Sequence, residues 1–72
     1  MTIKTSSGST YRFTCKDGKL YFNKGFCEGI VTSLSGIQVG EHLTIRYYAL
    51  NIYNQPSKDE SIIRTTRIVS IT

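Results

Sequence analysis

Short turn signals interrupt this sequence every few residues and leave no room for a long helix. Glycine-containing turn segments occur at Ser6–Gly8, Lys16–Gly18, Lys24–Gly25, Glu28–Gly29, Ser35–Gly36 and Val39–Gly40. No stretch of ten or more residues keeps apolar side chains at helical spacing, whereas β-branched and aromatic residues are frequent between the turns. Short runs between regular turns predict an all-β fold, either a sandwich or a barrel.

Alternation of apolar and polar residues predicts about six short antiparallel strands. They are residues 2–6, 9–15, 20–22, 30–35, 42–50 and 62–71. The clearest hairpin lies at Asp17-Gly18, a pair favoured in two-residue turns. Because closure hides strand edges that otherwise promote aggregation, we expect a strongly curled sheet or a small barrel. The sequence does not separate an SH3-like barrel from an OB-like one.

The alternation also predicts which side chains face the core. The inward set is Ile3, Tyr11, Phe13, Cys15, Leu20, Phe22, Ile30, Leu34, Leu43, Ile45, Tyr47, Ile63, Val69 and Ile71. The last three share their face with Thr65 and Arg67. The phase slips at Tyr48, because Leu50 and Ile52 share its parity, which indicates a β-bulge or a bend there. The polar segment Asn51–Ser61 contains the only proline, Pro56, and is predicted to be a long exposed loop.

The length of 72 residues favours a single domain spanning residues 1–72, with one modest core and little room for an enclosed cavity. His42 is predicted to be an exposed polar residue at a strand start. Cys15 and Cys27 match no zinc-site spacing, and Cys27 lies in a glycine-bounded turn. We therefore expect a protein that is not an enzyme and that uses no metal or cofactor.

Charge defines which partners the chain can attract. Nine Lys and Arg residues against five Asp and Glu residues give a net charge of +4, and residues 1–24 carry five of the cations. Such a field attracts nucleic acid, an anionic membrane or an acidic protein face. No segment is apolar enough to span a bilayer, and no apolar stretch follows Lys4 as in a signal peptide. We expect no membrane partner and a cytoplasmic location.

Two binding hypotheses follow from the polar and aromatic residues. A protein-binding surface would use Tyr48, Tyr53, Asn54 and Gln55. A nucleic-acid-binding face would use Arg12, Tyr21, Arg46, Arg64 and Arg67. Tyrosine and arginine suit both partners, and they also form ordinary cross-strand pairs. The nearly neutral loop Asn51–Ser61 favours a protein partner.

Three segments resemble small β proteins encoded in bacteriophage and prophage genomes. They are Ile3–Gly8 followed by Tyr11, Leu34–Ile45, and Arg64–Ile71, where Thr66-Arg67 replaces the Ser-Pro often found in such proteins. The resemblance supplies no site residues. It implies an accessory protein that binds and blocks a host or defence protein. Self-association into a larger particle, with the chain as a homo-oligomer, is the third hypothesis.

Overall fold

The computed structural model describes residues 1–72 and contains six β-strands and no helix. The strands are β1 (Thr2–Thr5), β2 (Thr10–Lys16), β3 (Lys19–Lys24), β4 (Cys27–Ser35), β5 (His42–Ala49) and β6 (Ser61–Ile71). The chain therefore has no helix of the length and apolarity required to cross a lipid bilayer.

The strands close into a barrel in which every neighbouring pair is antiparallel. Each strand pairs with the one before it, and β6 returns to pair with β1. The predicted all-β class with six short antiparallel strands in a small barrel is confirmed. Because consecutive strands are neighbours all the way round, the order is that of a meander and not the five-stranded Greek key of an OB-fold.

The turn between β2 and β3 has the geometry that its sequence predicts. Asp17 has a φ of 51° and Gly18 a φ of 75°. Positive φ at both central residues is the mark of a type I′ turn, whose twist matches that of the flanking strands. The turn sets the register in which Phe13 lies opposite Phe22, so both rings reach the core.

The core is a single cluster of seven buried apolar side chains. They are Ile3, Tyr11, Phe13, Phe22, Leu43, Ile45 and Ile68. Phe22 is the largest side chain with almost no exposure, and its ring centroid lies 4.6 Å from that of Tyr47 in an edge-to-face arrangement. Such contacts add to the burial energy of aromatic rings.

Strand β4 begins at Cys27, three residues earlier than predicted. Its inward position is Gly29, where an added Cβ would lie 2.6 Å from Tyr47 Cδ2 and 2.7 Å from Phe22 Cε1. The two rings therefore fill the space that a side chain at this position would need. Ile30 consequently points outward, so its predicted place in the core is wrong.

The predicted bulge near Tyr48 lies instead on the neighbouring strand. The β4–β5 register shifts between Val31 and Ser33, opposite Tyr47 and Arg46. The extra residue in β4 returns Leu34 to the core side, where it packs against the buried cluster. Strand β5 keeps its alternation, and Tyr48 is half-buried on the outer surface, where it pairs with Ile30.

Strand β6 pairs with β5 in its first half and with β1 in its second half. Register shifts in both pairings change which residues face inward. Ile68 is 1% exposed, whereas Val69 is 54% exposed. The predicted inward position of Val69 is therefore wrong, because the bulges move the inward position to its neighbour.

Both cysteines are exposed and free. The predicted burial of Cys15 is wrong because β2 extends past β1 in the barrel. The last residue bonded on that side is Phe13, whose N–H donates to the Met1 carbonyl at 2.8 Å, so β1 does not reach Cys15, which pairs only with Leu20 of β3. Cys27 is exposed, but it pairs with Lys24 at the start of β4 and is not in the turn itself.

Candidate functional site

The loop after β5 is closed on itself by one asparagine. Asn51 Oδ1 accepts hydrogen bonds from the Tyr53 N–H at 2.8 Å and the Gln55 N–H at 3.0 Å. The Asn54 N–H donates to the Asn51 carbonyl at 2.9 Å, and Asn54 has a φ of 58°. Asparagine tolerates this left-handed backbone better than most residues. Residues 51–55 therefore form a compact turn with internal hydrogen bonds.

The rest of the loop is tied to the barrel. Thr32 Oγ1 donates to Glu60 Oε2 at 2.7 Å, and the Arg46 guanidinium lies 3.5 Å from Glu60 Oε1. The Ser57 N–H donates to the Ala49 carbonyl at 2.8 Å. These contacts tie the second half of the loop to β4 and β5.

Three large apolar side chains near the loop have almost no cover. Ile52 is 89% exposed, Tyr53 is 75% exposed, and Phe26 in the β3–β4 turn is 109% exposed. Contiguous exposed apolar patches mark surfaces that bind another molecule, and Ile52 and Tyr53 are neighbours in the chain. We call Phe26, Ile52 and Tyr53 the tip surface.

The sheet places the members of the tip surface at the same end. Gly29 of β4 pairs with Ala49 of β5, and the Leu50 N–H donates to the Glu28 carbonyl at 2.9 Å. The β3–β4 turn comes just before Glu28 and Gly29 in the chain, and the loop comes just after Ala49 and Leu50. Both segments therefore leave the barrel from the same end of the paired strands.

Replacing Asn51 with alanine tests whether this residue holds the loop. The change removes both hydrogen bonds to Oδ1, so we expect a loss of about 1 kcal/mol in the free energy of unfolding. We also expect faster amide exchange at Tyr53 and Gln55, measured by NMR. The matched control is Gln55→Ala, whose exposed side chain makes no intramolecular hydrogen bond. Unchanged exchange at Tyr53 in Asn51→Ala would show that the loop is held by other contacts.

A cleft of about 480 Å³ lies on the outer face of β2, β3 and β4. Its lining includes Arg12, Lys16, Tyr21, Ile30, Leu50 and Asn54. Tyr21 lies opposite Thr14 on one side and Ile30 on the other, which places its ring near the middle. We call this the outer cleft. Through Asn54 and Leu50, it adjoins the loop that carries the tip surface.

The residues predicted to bind protein lie mainly in the loop. Tyr53, Asn54 and Gln55 are all exposed within its closed turn. Tyr48 is separate from them, half-buried on the outer face of β5 and paired with Ile30.

The structure divides the residues predicted to bind nucleic acid. Arg12 and Tyr21 share the outer cleft. Arg46 is engaged with Glu60, and the Arg67 guanidinium donates to the Gly40 carbonyl at 2.7 Å. Arg64 is exposed on β6, opposite Thr44. Only two of the five residues therefore line a common cavity.

The sequence reasoning missed Phe26, Ile52 and Lys16. A signal for Phe26 was present, since an aromatic residue between Gly25 and the next strand has no inward direction available in a two-residue turn. Ile52 stood beside Tyr53 in the predicted loop. Lys16 was assigned to a turn, but it extends β2 along the cleft.

His42 is half-buried at the start of β5 and not fully exposed as predicted. Its Nδ1 lies 2.8 Å from the Thr65 carbonyl, and because a carbonyl only accepts, the ring donates this bond. No group of three or more His, Cys, Asp or Glu side chains converges in the way a metal site requires.

Comparisons of the chain with protein-family models, curated proteins and solved structures found no match.

Proposed function

We propose that this chain is a non-enzymatic, cofactor-free domain that binds a protein partner through the tip surface and blocks the surface that it covers. The observation that carries this proposal is the exposure of Ile52 and Tyr53 on a turn fixed by Asn51. A surface that is ordered before binding loses less conformational entropy when it binds. Aromatic residues at the centre of an interface also supply much of its binding energy.

The chemistry of the loop supports an uncharged recognition surface. Residues 51–57 contain no ionisable side chain apart from the tyrosine phenol. A patch of this composition gains more from contact with an apolar protein surface than from contact with phosphate.

The resemblance to phage and prophage proteins supports a particular kind of partner. Small accessory proteins from such genomes often act by covering a surface of a host or defence protein. On this proposal the chain acts in the cytoplasm of a bacterial host, and occlusion of its partner is the whole activity.

The proposal is tested by capturing proteins from a bacterial lysate and asking whether the capture depends on the tip surface. The triple variant Phe26→Ser, Ile52→Ser, Tyr53→Ser removes the apolar groups without altering the charge. We expect the unaltered chain to retain one protein in a constant ratio from nuclease-treated lysate. Its affinity should fall by about a hundredfold or more in the triple variant, since hot-spot residues each contribute about 2 kcal/mol or more.

Val69→Ser is the matched control, because Val69 is 54% exposed on a different strand. It should retain the partner as well as the unaltered chain does. Recovery of nucleic acid alone, of nothing, or of the same protein with the triple variant would contradict the proposal. Light scattering tests whether the tip surface binds a second copy of the chain. That outcome is identified by a mass that rises with protein concentration for the unaltered chain but not for the triple variant.

A further inference from the structure

The outer cleft has an aromatic floor. Tyr21 is half-buried between Thr14 and Ile30 on the outer face of the sheet, and Leu50 completes the apolar part of the lining. The ring is held by its neighbours but is not covered, and the cleft of about 480 Å³ lies beside it. A fixed, open aromatic ring provides a platform on which a planar base can stack.

One side of the cleft carries cations that have no partner within the chain. Arg12 and Lys16 are two positions either side of Thr14, so they share its face of β2. The chain contains one ion pair, between Arg46 and Glu60, so neither of these cations forms an ion pair within the chain.

A third cation, Lys19, lies beside the cleft without lining it. Lys19 lies directly opposite Lys16 across the β2–β3 hairpin. Like charges in this position repel and weaken the strand pair. An anion bound at this edge would relieve that repulsion, which gives the bound state an advantage that an uncharged ligand would not have.

The opposite side of the cleft carries groups that can contact the edge of a base. Glu28 also lines the cleft as the one carboxylate there, and Asn23 Nδ2 donates to its Oε1 at 3.1 Å. Asn54 lines the cleft, and its side-chain amide makes no hydrogen bond within the chain. An amide offers both donors and an acceptor, as the edges of nucleobases require.

We propose that the outer cleft binds a short segment of single-stranded nucleic acid. A base stacks on Tyr21, and Arg12, Lys16 and Lys19 neutralise the adjoining phosphates. An acidic peptide would match the cations, but it would leave the aromatic floor without a planar partner. This site adjoins the tip surface through Asn54 but shares none of its three residues, and it gives the barrel a second ligand beyond the proposed protein partner.

Fluorescence anisotropy with labelled oligothymidylate and oligouridylate of about eight nucleotides tests this proposal. We expect binding at low salt to one or both probes. A difference in affinity between the two probes shows whether the cleft prefers DNA or RNA. The affinity should fall roughly tenfold between about 50 and 200 mM salt if two or three phosphates are neutralised. A labelled polyglutamate of the same length serves as the peptide probe.

Two matched pairs of variants locate the bound strand. Tyr21→Leu should weaken binding by about tenfold or more, whereas Tyr21→Phe keeps the ring and should bind normally. Arg12→Gln should weaken binding and reduce the salt dependence. Arg64→Gln removes the same charge from an exposed site outside the cleft and should change the affinity by less than about twofold.

The proposal is overturned if neither oligonucleotide binds at low salt. It is also overturned if Arg64→Gln weakens binding as much as Arg12→Gln, since the attraction would then be a property of net charge. Polyglutamate binding with the same dependence on Tyr21 would assign the cleft to acidic peptides. Because none of these variants alters Phe26, Ile52 or Tyr53, capture of a protein by the tip surface is tested independently.

Discussion

Replacing Phe22 with alanine is expected to lower the free energy of unfolding by about 3–5 kcal/mol and to leave much of the chain unfolded at room temperature. Phe22 is 1% exposed and lies between the rings of Phe13 and Tyr47, at 6.5 and 4.6 Å between centroids. A domain of this size rarely has more than about 3–5 kcal/mol of stability in total. Losing this ring therefore removes most of the free energy of unfolding.

Urea unfolding followed by circular dichroism measures this effect. Val69→Ala is the control, because Val69 is an exposed apolar residue of the same barrel. It should change the stability by less than about 0.5 kcal/mol. A cost below about 1.5 kcal/mol for Phe22→Ala would show that this ring is not tightly packed in the core.

The second large effect is expected at Gly36, after the end of β4. Its φ is 75°, and an added Cβ would overlap the backbone carbonyl of His42. Alanine would therefore carry both the strain of a left-handed backbone and a clash with a group that cannot rotate away. We expect Gly36→Ala to cost about 2–4 kcal/mol.

Gly8→Ala separates the two contributions. Gly8 also has a positive φ, of 90°, but an added Cβ there meets no atom within 4 Å. Gly8→Ala should lower the free energy of unfolding by only about 1 kcal/mol. In a domain of this size each kcal/mol lowers the melting temperature by about 4–8 °C, which thermal unfolding measures. Equal melting temperatures for the two variants would show that the turn after β4 has room for a side chain.

The architecture was largely predictable because it depends on local patterns. Asp17-Gly18 defines its hairpin with two residues, and the alternation of Tyr11 and Phe13 needs only one strand. The number of strands follows from the spacing of turns. Closure into a barrel follows from the cost of leaving strand edges open.

The positions that were wrong depend on contacts between distant parts of the chain. Ile30 looks like a core residue until the rings of Phe22 and Tyr47 occupy the space inside Gly29. Ile68 and Val69 are both apolar and β-branched, so only the register with β1 decides which is buried. A bulge is a property of a strand pair, and a single strand's sequence does not locate it.

The candidate surfaces were predictable in part for the same reason. The composition of residues 51–61 predicts an exposed loop, and the structure confirms it for residues 51–60, since Ser61 begins β6. The role of Asn51 requires the folded turn, because Oδ1 is shared by two N–H groups. The outer cleft brings Arg12 and Tyr21 beside Asn54, although more than thirty positions separate Tyr21 from Asn54 in the chain.

The most direct test of the tip surface is amide hydrogen exchange of the chain with and without the protein that it captures. Protection should appear at residues 25–27 and 51–55 and disappear in the variant that replaces Phe26, Ile52 and Tyr53 with serine. Strand β6 around Val69 should exchange at the same rate in both states. Protection confined to other parts of the barrel, or none at residues 51–55, would contradict the proposed binding surface.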